Sequence, residues 1–127
     1  MNLGKHAVLI AAGVAGILGS ATLLAEMDQA AVEKGATHFR VFCVNCHGMK
    51  ADGSGPLAKI LKIQPTDLTK LKQNMPEGVT VQELVFRAVD GRHKVGEGGK
   101  RDMPVFTDNL EFNTVIEISK FVEAIQE

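Results

Sequence analysis

The sequence contains no tryptophan and no tyrosine, and its aromatic residues are six phenylalanines at positions 39, 42, 86, 106, 112 and 121. Six rings are a modest supply for a 127-residue chain. A domain of this size needs a good core or a staple. With only two cysteines a disulfide framework is excluded. Cys43 and Cys46 stand three positions apart, a spacing that belongs to redox, metal or haem chemistry rather than to cross-linking. The expected staple is therefore a cofactor. An excess of one charge is also missing: 14 basic against 15 acidic residues leave a formal net charge of −1. That balance excludes a strongly basic nucleic-acid binder. The length leaves no room for two ordinary domains.

Charge is absent altogether from residues 7–25 (AVLIAAGVAGILGSATLLA), which follow Lys5 and the amino terminus. A positive start, an apolar middle and a small residue at Ala25 are the parts of a secretory signal peptide. The stretch is also about 28 Å long as a helix, close to a bilayer core of about 30 Å. Ala12, Gly16 and Ser20 recur at four-residue spacing, as do Ala15 and Gly19, a pattern suited to close helix contact. Residues 1–25 are thus expected to be a signal peptide or a transmembrane anchor. On either reading, residues 26–127 are one exported domain.

That domain reads as helices and loops, with little strand-like alternation. A helix is expected from Asp28, as its cap, to Val44, with Ala31, Gly35, Phe39 and Phe42 at helical spacing. Three glycines and a proline make Gly48–Pro56 a loop. A short helix over Leu57–Ile63 should stop at Pro65. Thr80 and Glu83 form a capping box for a helix that Gly91 ends. Residues 91–101 form a second glycine-rich, basic loop. Thr114 and Glu117 suggest another capping box before the final helix, where Val115, Ile118, Val122 and Ile125 share one face with Phe121 beside it.

The motif that carries chemistry is Cys43-Val44-Asn45-Cys46-His47. C-x-x-C-H is the c-type haem attachment signature. Two thiols one helical turn apart can each add across a vinyl group of one porphyrin, and the adjacent imidazole can reach the iron from one face. A thioredoxin-like pair would need a βαβ setting that is not seen here. A zinc knuckle would need a second pair of ligands, and His6, His38 and His93 lack metal-motif spacing.

From about Asp28 to Gln126 the chain resembles a class I, monohaem cytochrome c. In that family a glycine and an aromatic of the first helix pack against an aromatic of the last, places held here by Gly35, Phe39 and Phe121. Gly53-Ser54-Gly55-Pro56 matches a loop whose proline carbonyl usually takes the hydrogen bond of the ligand imidazole. Asp90-Gly91-Arg92 and Asp102-Met103-Pro104-Val105-Phe106 resemble the stretch that delivers the second iron ligand. The resemblance implies an all-α fold, a small cytochrome c domain of three to five helices around one covalent haem c. It departs from the family in lacking the Trp or Tyr common near the propionates, where Arg92 is the expected partner.

Two Met-Pro pairs compete for the sixth iron position. Met103 follows the capped helix and precedes the last one, as the family pattern expects. Met75 lies in a polar loop between Lys72 and Glu77, where an exposed side chain is expected. With His47 and Met103 both bound, iron has no open site. Such an arrangement suits single-electron transfer rather than catalysis, and no nucleophile–base pair or phosphate-cradling loop stands out. Asp52 and Asp67 read as a turn residue and a helix cap or loop acceptor. Residues 59–101 carry net +4 and residues 102–127 net −5. The basic stretch fits docking of an acidic face on a redox protein partner, or a solvated surface with no preference. The expected role is a periplasmic or inner-membrane-tethered electron carrier with no nucleic-acid or small-molecule substrate. Two alternatives remain: a subunit of a membrane oxidoreductase, and, should Met103 fail to ligate, a haem sensor.

Overall fold

The structure is a computed structural model that describes residues 9–92, 102–106 and 109–127, with side chains from residue 21 onward. Among the described residues it is all-helical: α1 (Leu9–Phe42), α2 (Val44–His47), α3 (Pro56–Leu61), a 3₁₀ segment (Leu68–Asn74), α4 (Val81–Val89) and α5 (Phe112–Ala124). By internal packing the chain divides into residues 1–30 and residues 31–127. In the first unit, residues 21–30 are exposed helix. Among the described residues no helix is long and apolar enough to cross a membrane. The reading of residues 1–25 as signal or anchor, and the basic loop at 93–101, lie outside what is described. Asp28 lies within α1 and does not cap it, because no break precedes it.

In the second unit the core is an aliphatic seam between α4 and α5. Val81, Val85 and Val89 recur every fourth residue on α4, and Val115, Ile118 and Val122 face them from α5. Each such buried side chain contributes about 1.5–3 kcal/mol. Leu68, Leu71, Phe86, Phe106 and Leu110 close over the seam. The Thr80 hydroxyl accepts the Glu83 N–H at 3.1 Å and so starts α4. The Glu83 carboxylate turns to Arg87 instead of back to the cap, so half the expected box forms. Beyond α4 the chain turns at Gly91, whose φ is +90°. The second expected box is absent. α5 begins two residues before Thr114, at Phe112, with Glu111 as cap. Glu117 is instead engaged across the helix crossing, 3.0 Å from His38 Nε2 and 3.8 Å from Lys34.

That crossing joins residues 31–42 of α1 to α5. A Cβ on Gly35 would lie 1.9 Å from the Glu117 carbonyl oxygen and 2.9 Å from Phe121 Cβ, so only glycine lets the two backbones touch. One turn further along, the Phe39 and Phe121 rings meet with centroids 5.2 Å apart. The trio Gly35, Phe39 and Phe121 is therefore brought together as expected.

Candidate functional site

α2 is a single turn, and its geometry follows from its ends. The Cys46 and His47 N–H groups donate to the Cys43 carbonyl at 3.2 and 2.9 Å, which sets the two cysteines one turn apart. Both thiols are free and half-buried. Burial, with the Cys46 thiol adding to it, pushes the Cys43 thiol up to about 11. It is a neutral S–H at physiological pH.

A helix this short leaves its carbonyls without partners of its own. The glycine loop supplies them. Gly53 N–H donates to the His47 carbonyl at 2.9 Å and Gly55 N–H to the Cys46 carbonyl at 3.0 Å. The approach is close: a Cβ on Gly55 would lie 2.4 Å from the Asn45 carbonyl oxygen and 2.5 Å from the Cys46 carbonyl carbon. Asp52 ties the turn by accepting from the Ser54 N–H and hydroxyl. Ala51, buried and at φ +58°, presents its carbonyl to the Leu68 N–H at 2.8 Å. The loop thereby fixes residues 64–68 against α2.

His47 is buried, and its Nδ1 donates to the Thr66 carbonyl at 3.1 Å. A carbonyl can only accept, so Nδ1 carries the proton and the neutral ring keeps its lone pair on Nε2. Burial holds the imidazole pKa below its ordinary value, although the Thr66 hydrogen bond opposes the shift. Among the described residues Nε2 has no hydrogen-bond partner. The ring is an oriented, neutral nitrogen donor beside two free thiols.

Met103 is half-buried against the α4–α5 seam, and Phe106 N–H anchors its strand of chain to the Val89 carbonyl at 2.9 Å. Met75 packs on the same seam. Its expected exposure is corrected here. The 3₁₀ segment ends at Asn74, and the backbone becomes extended at Met75 (ψ 134°), whose side chain packs on the core cluster while Lys72 and Glu77 are exposed. Among the described residues no three His, Cys, Asp or Glu side chains converge as a metal site.

Comparisons with family models, curated proteins and solved structures return no match. The residues therefore carry the reading alone. Cys43, Cys46 and His47 stand on one turn, as their spacing requires. Asp52 is the turn residue expected. Asp67 caps the 3₁₀ segment, accepting the Thr69 N–H at 3.0 Å. One expectation is corrected. The imidazole partner is the Thr66 carbonyl and not that of Pro56, because Pro56 opens α3 at its first position and its carbonyl belongs to that helix. Arg92, expected as the propionate partner, is 67% exposed and bonded to Asp90 through both its backbone N–H and Nε, contacts that leave that expectation as it was. Thr66 itself was not legible in the sequence. It acts through its carbonyl, which no residue type announces.

Proposed function

We propose that the chain is a class I c-type cytochrome: a single-electron carrier with one covalent haem, acting in the periplasm or tethered at the outer face of the inner membrane. The observation that carries the reading is the one-turn set of two free thiols and an imidazole whose Nδ1 is already committed to Thr66. Cys43 and Cys46 would each add S–H across a vinyl double bond, forming a thioether with no oxidant consumed. When bound, the haem would supply a one-electron ferric/ferrous couple. His47 would hold the iron through Nε2, its orientation and donor strength set by the Thr66 carbonyl. Met103 would present a soft, neutral thioether as the second ligand, which favours the reduced state and keeps outside ligands away.

Acid–acetone extraction tests this reading. The purified, matured protein should keep its haem in the precipitate, and Cys43→Ser with Cys46→Ser should release it to the organic phase. Haem extracted from the unsubstituted protein overturns the proposal. Fractionation of the expressing cells decides localisation: salt-resistant, detergent-released protein is tethered, and a chain starting near Glu26 in the periplasmic extract is free.

A further inference from the structure

The Thr66 carbonyl is only as well placed as the backbone that bears it, and residues 62–67 belong to no helix. Two anchors hold that backbone. On one side the Leu68 N–H donates to the Ala51 carbonyl at 2.8 Å. On the other, Gln126 Nε2 donates to the Leu68 carbonyl at 2.6 Å, and also to the Val122 carbonyl of α5 at 2.7 Å. The same amide accepts the Lys72 N–H through Oε1 at 3.0 Å, and the next residue, Glu127, donates its N–H to the Thr69 carbonyl at 2.9 Å. Gln126 thus uses both donors and its acceptor in one place, splicing the end of α5 to the 3₁₀ segment. Leu68, two residues from Thr66, is gripped at both its N–H and its carbonyl.

We propose that Gln126 is a positioning residue for His47: it fixes the Leu68 backbone so that the Thr66 carbonyl stays on the imidazole Nδ1. The proposal rests on His47 being an axial ligand. Its chemistry is particular to an amide. A glutamate at 126 keeps the acceptor for Lys72 but loses both donated bonds and sets a carboxylate against two carbonyl oxygens. An alanine removes all three bonds. In either case the Thr66 carbonyl keeps only the Ala51 anchor of its two, the Nδ1–H bond lengthens, and His47 becomes a weaker donor that stabilises ferric iron less.

The test uses the haem-loaded, full-length protein with Gln126→Glu, Gln126→Ala and Glu123→Gln. The last removes the neighbouring Lys72–Glu123 pair, 3.7 Å apart, and leaves the amide intact. Hydrogen exchange of the His47 Nδ1 proton is read by NMR in the ferrous state, beside the reduction potential and the exchange of the Val85 amide in the buried face of α4. Both Gln126 variants should exchange the Nδ1 proton at least threefold faster than wild type, with the potential shifted upward and Val85 unchanged. Glu123→Gln should match wild type in all three. An Nδ1 rate less than threefold changed overturns the proposal. So does a parallel acceleration of Nδ1 and Val85, which makes Gln126 a general stabiliser only. Either result with haem still covalently held leaves the electron-carrier reading standing, whereas wild-type protein without covalent haem overturns both.

Discussion

Gly35→Ala should separate the helices that close the domain. The added Cβ would sit 1.9 Å from the Glu117 carbonyl oxygen, 2.5 Å from its carbon and 2.9 Å from Phe121 Cβ. Non-bonded contacts are comfortable near about 3.5 Å, so residues 31–42 and α5 must part by about 1.5 Å. Overpacking of this kind costs about 1–3 kcal/mol. Moving Phe39 off Phe121, now 5.2 Å apart, forfeits up to about 1 kcal/mol more. The gain from replacing glycine inside a helix returns about 1 kcal/mol. The net loss is about 2 kcal/mol, which for a domain near 100 residues lowers Tm by about 8–16 °C. Thermal melts followed by far-UV circular dichroism measure it directly. Gly78→Ala is the comparison: nothing lies within 4 Å of its Cβ, and only its φ of +77° is violated, for about 1 kcal/mol. A Gly35→Ala protein that melts at or above the wild-type temperature, or above Gly78→Ala, refutes the close-crossing argument.

Met103→Ala in the haem-loaded protein should abolish the far-red sulfur-to-iron absorption band and let CO bind ferrous protein readily, while Met75→Ala leaves both unchanged; loss of the band on the Met75 change instead reverses the ligand assignment. Gly55→Ala should cut the yield of covalently loaded protein severalfold, because its Cβ would collide with the Asn45 and Cys46 backbone, and the haem-to-protein absorbance ratio reads that loss. Hydrogen bonds from the Thr69 hydroxyl and N–H hold the Asp67 carboxyl below its ordinary range. A depressed folded-state pKa gives stability that is present above the unfolded value of 3.8 and lost as pH falls through the lower folded one. Asp67→Ala should therefore flatten the fall in urea midpoint between about pH 5 and pH 3 relative to wild type, a difference that parallel titrations would reveal.

What was legible in the sequence was periodic or local. The Val115, Ile118 and Val122 face follows from helical spacing, and the Thr80 cap and the Gly91 stop follow from neighbours within a few positions. Boundaries failed where a distant residue took a side chain that the local pattern assigned elsewhere. Glu117 fits a capping box with Thr114 by spacing, yet Lys34 and His38 claim its carboxylate from another helix. Met75 has charged neighbours that suggest exposure, yet the chain leaving the 3₁₀ segment half-buries it against the core cluster. Asp67 was legible as a cap, but the 3₁₀ segment it opens was unforeseen because its other brace is Gln126, 58 residues beyond Leu68. At the site, side chains were readable and backbone acceptors were not. Cys43, Cys46 and His47 declare themselves by type; the Thr66 carbonyl does not.

The loop that clasps α2 also has a bearing on the order of events in folding. His47 and Thr66 are 19 positions apart, whereas Phe39 and Phe121 are separated by 82. Closing the longer loop costs about 1.3 kcal/mol more in chain entropy. The short segment from Cys43 to Leu68, braced by its own glycines and carbonyls, can therefore form while α5 is still undocked. On the proposed reading, both thiols would be presented by a chain that is still open, and docking of α5 would then bring Gln126 onto Leu68 and fix the Thr66 carbonyl on the imidazole. Covalent modification would then precede closure of the helix crossing and template it, so a defect at Gly35 would weaken the finished protein without preventing attachment.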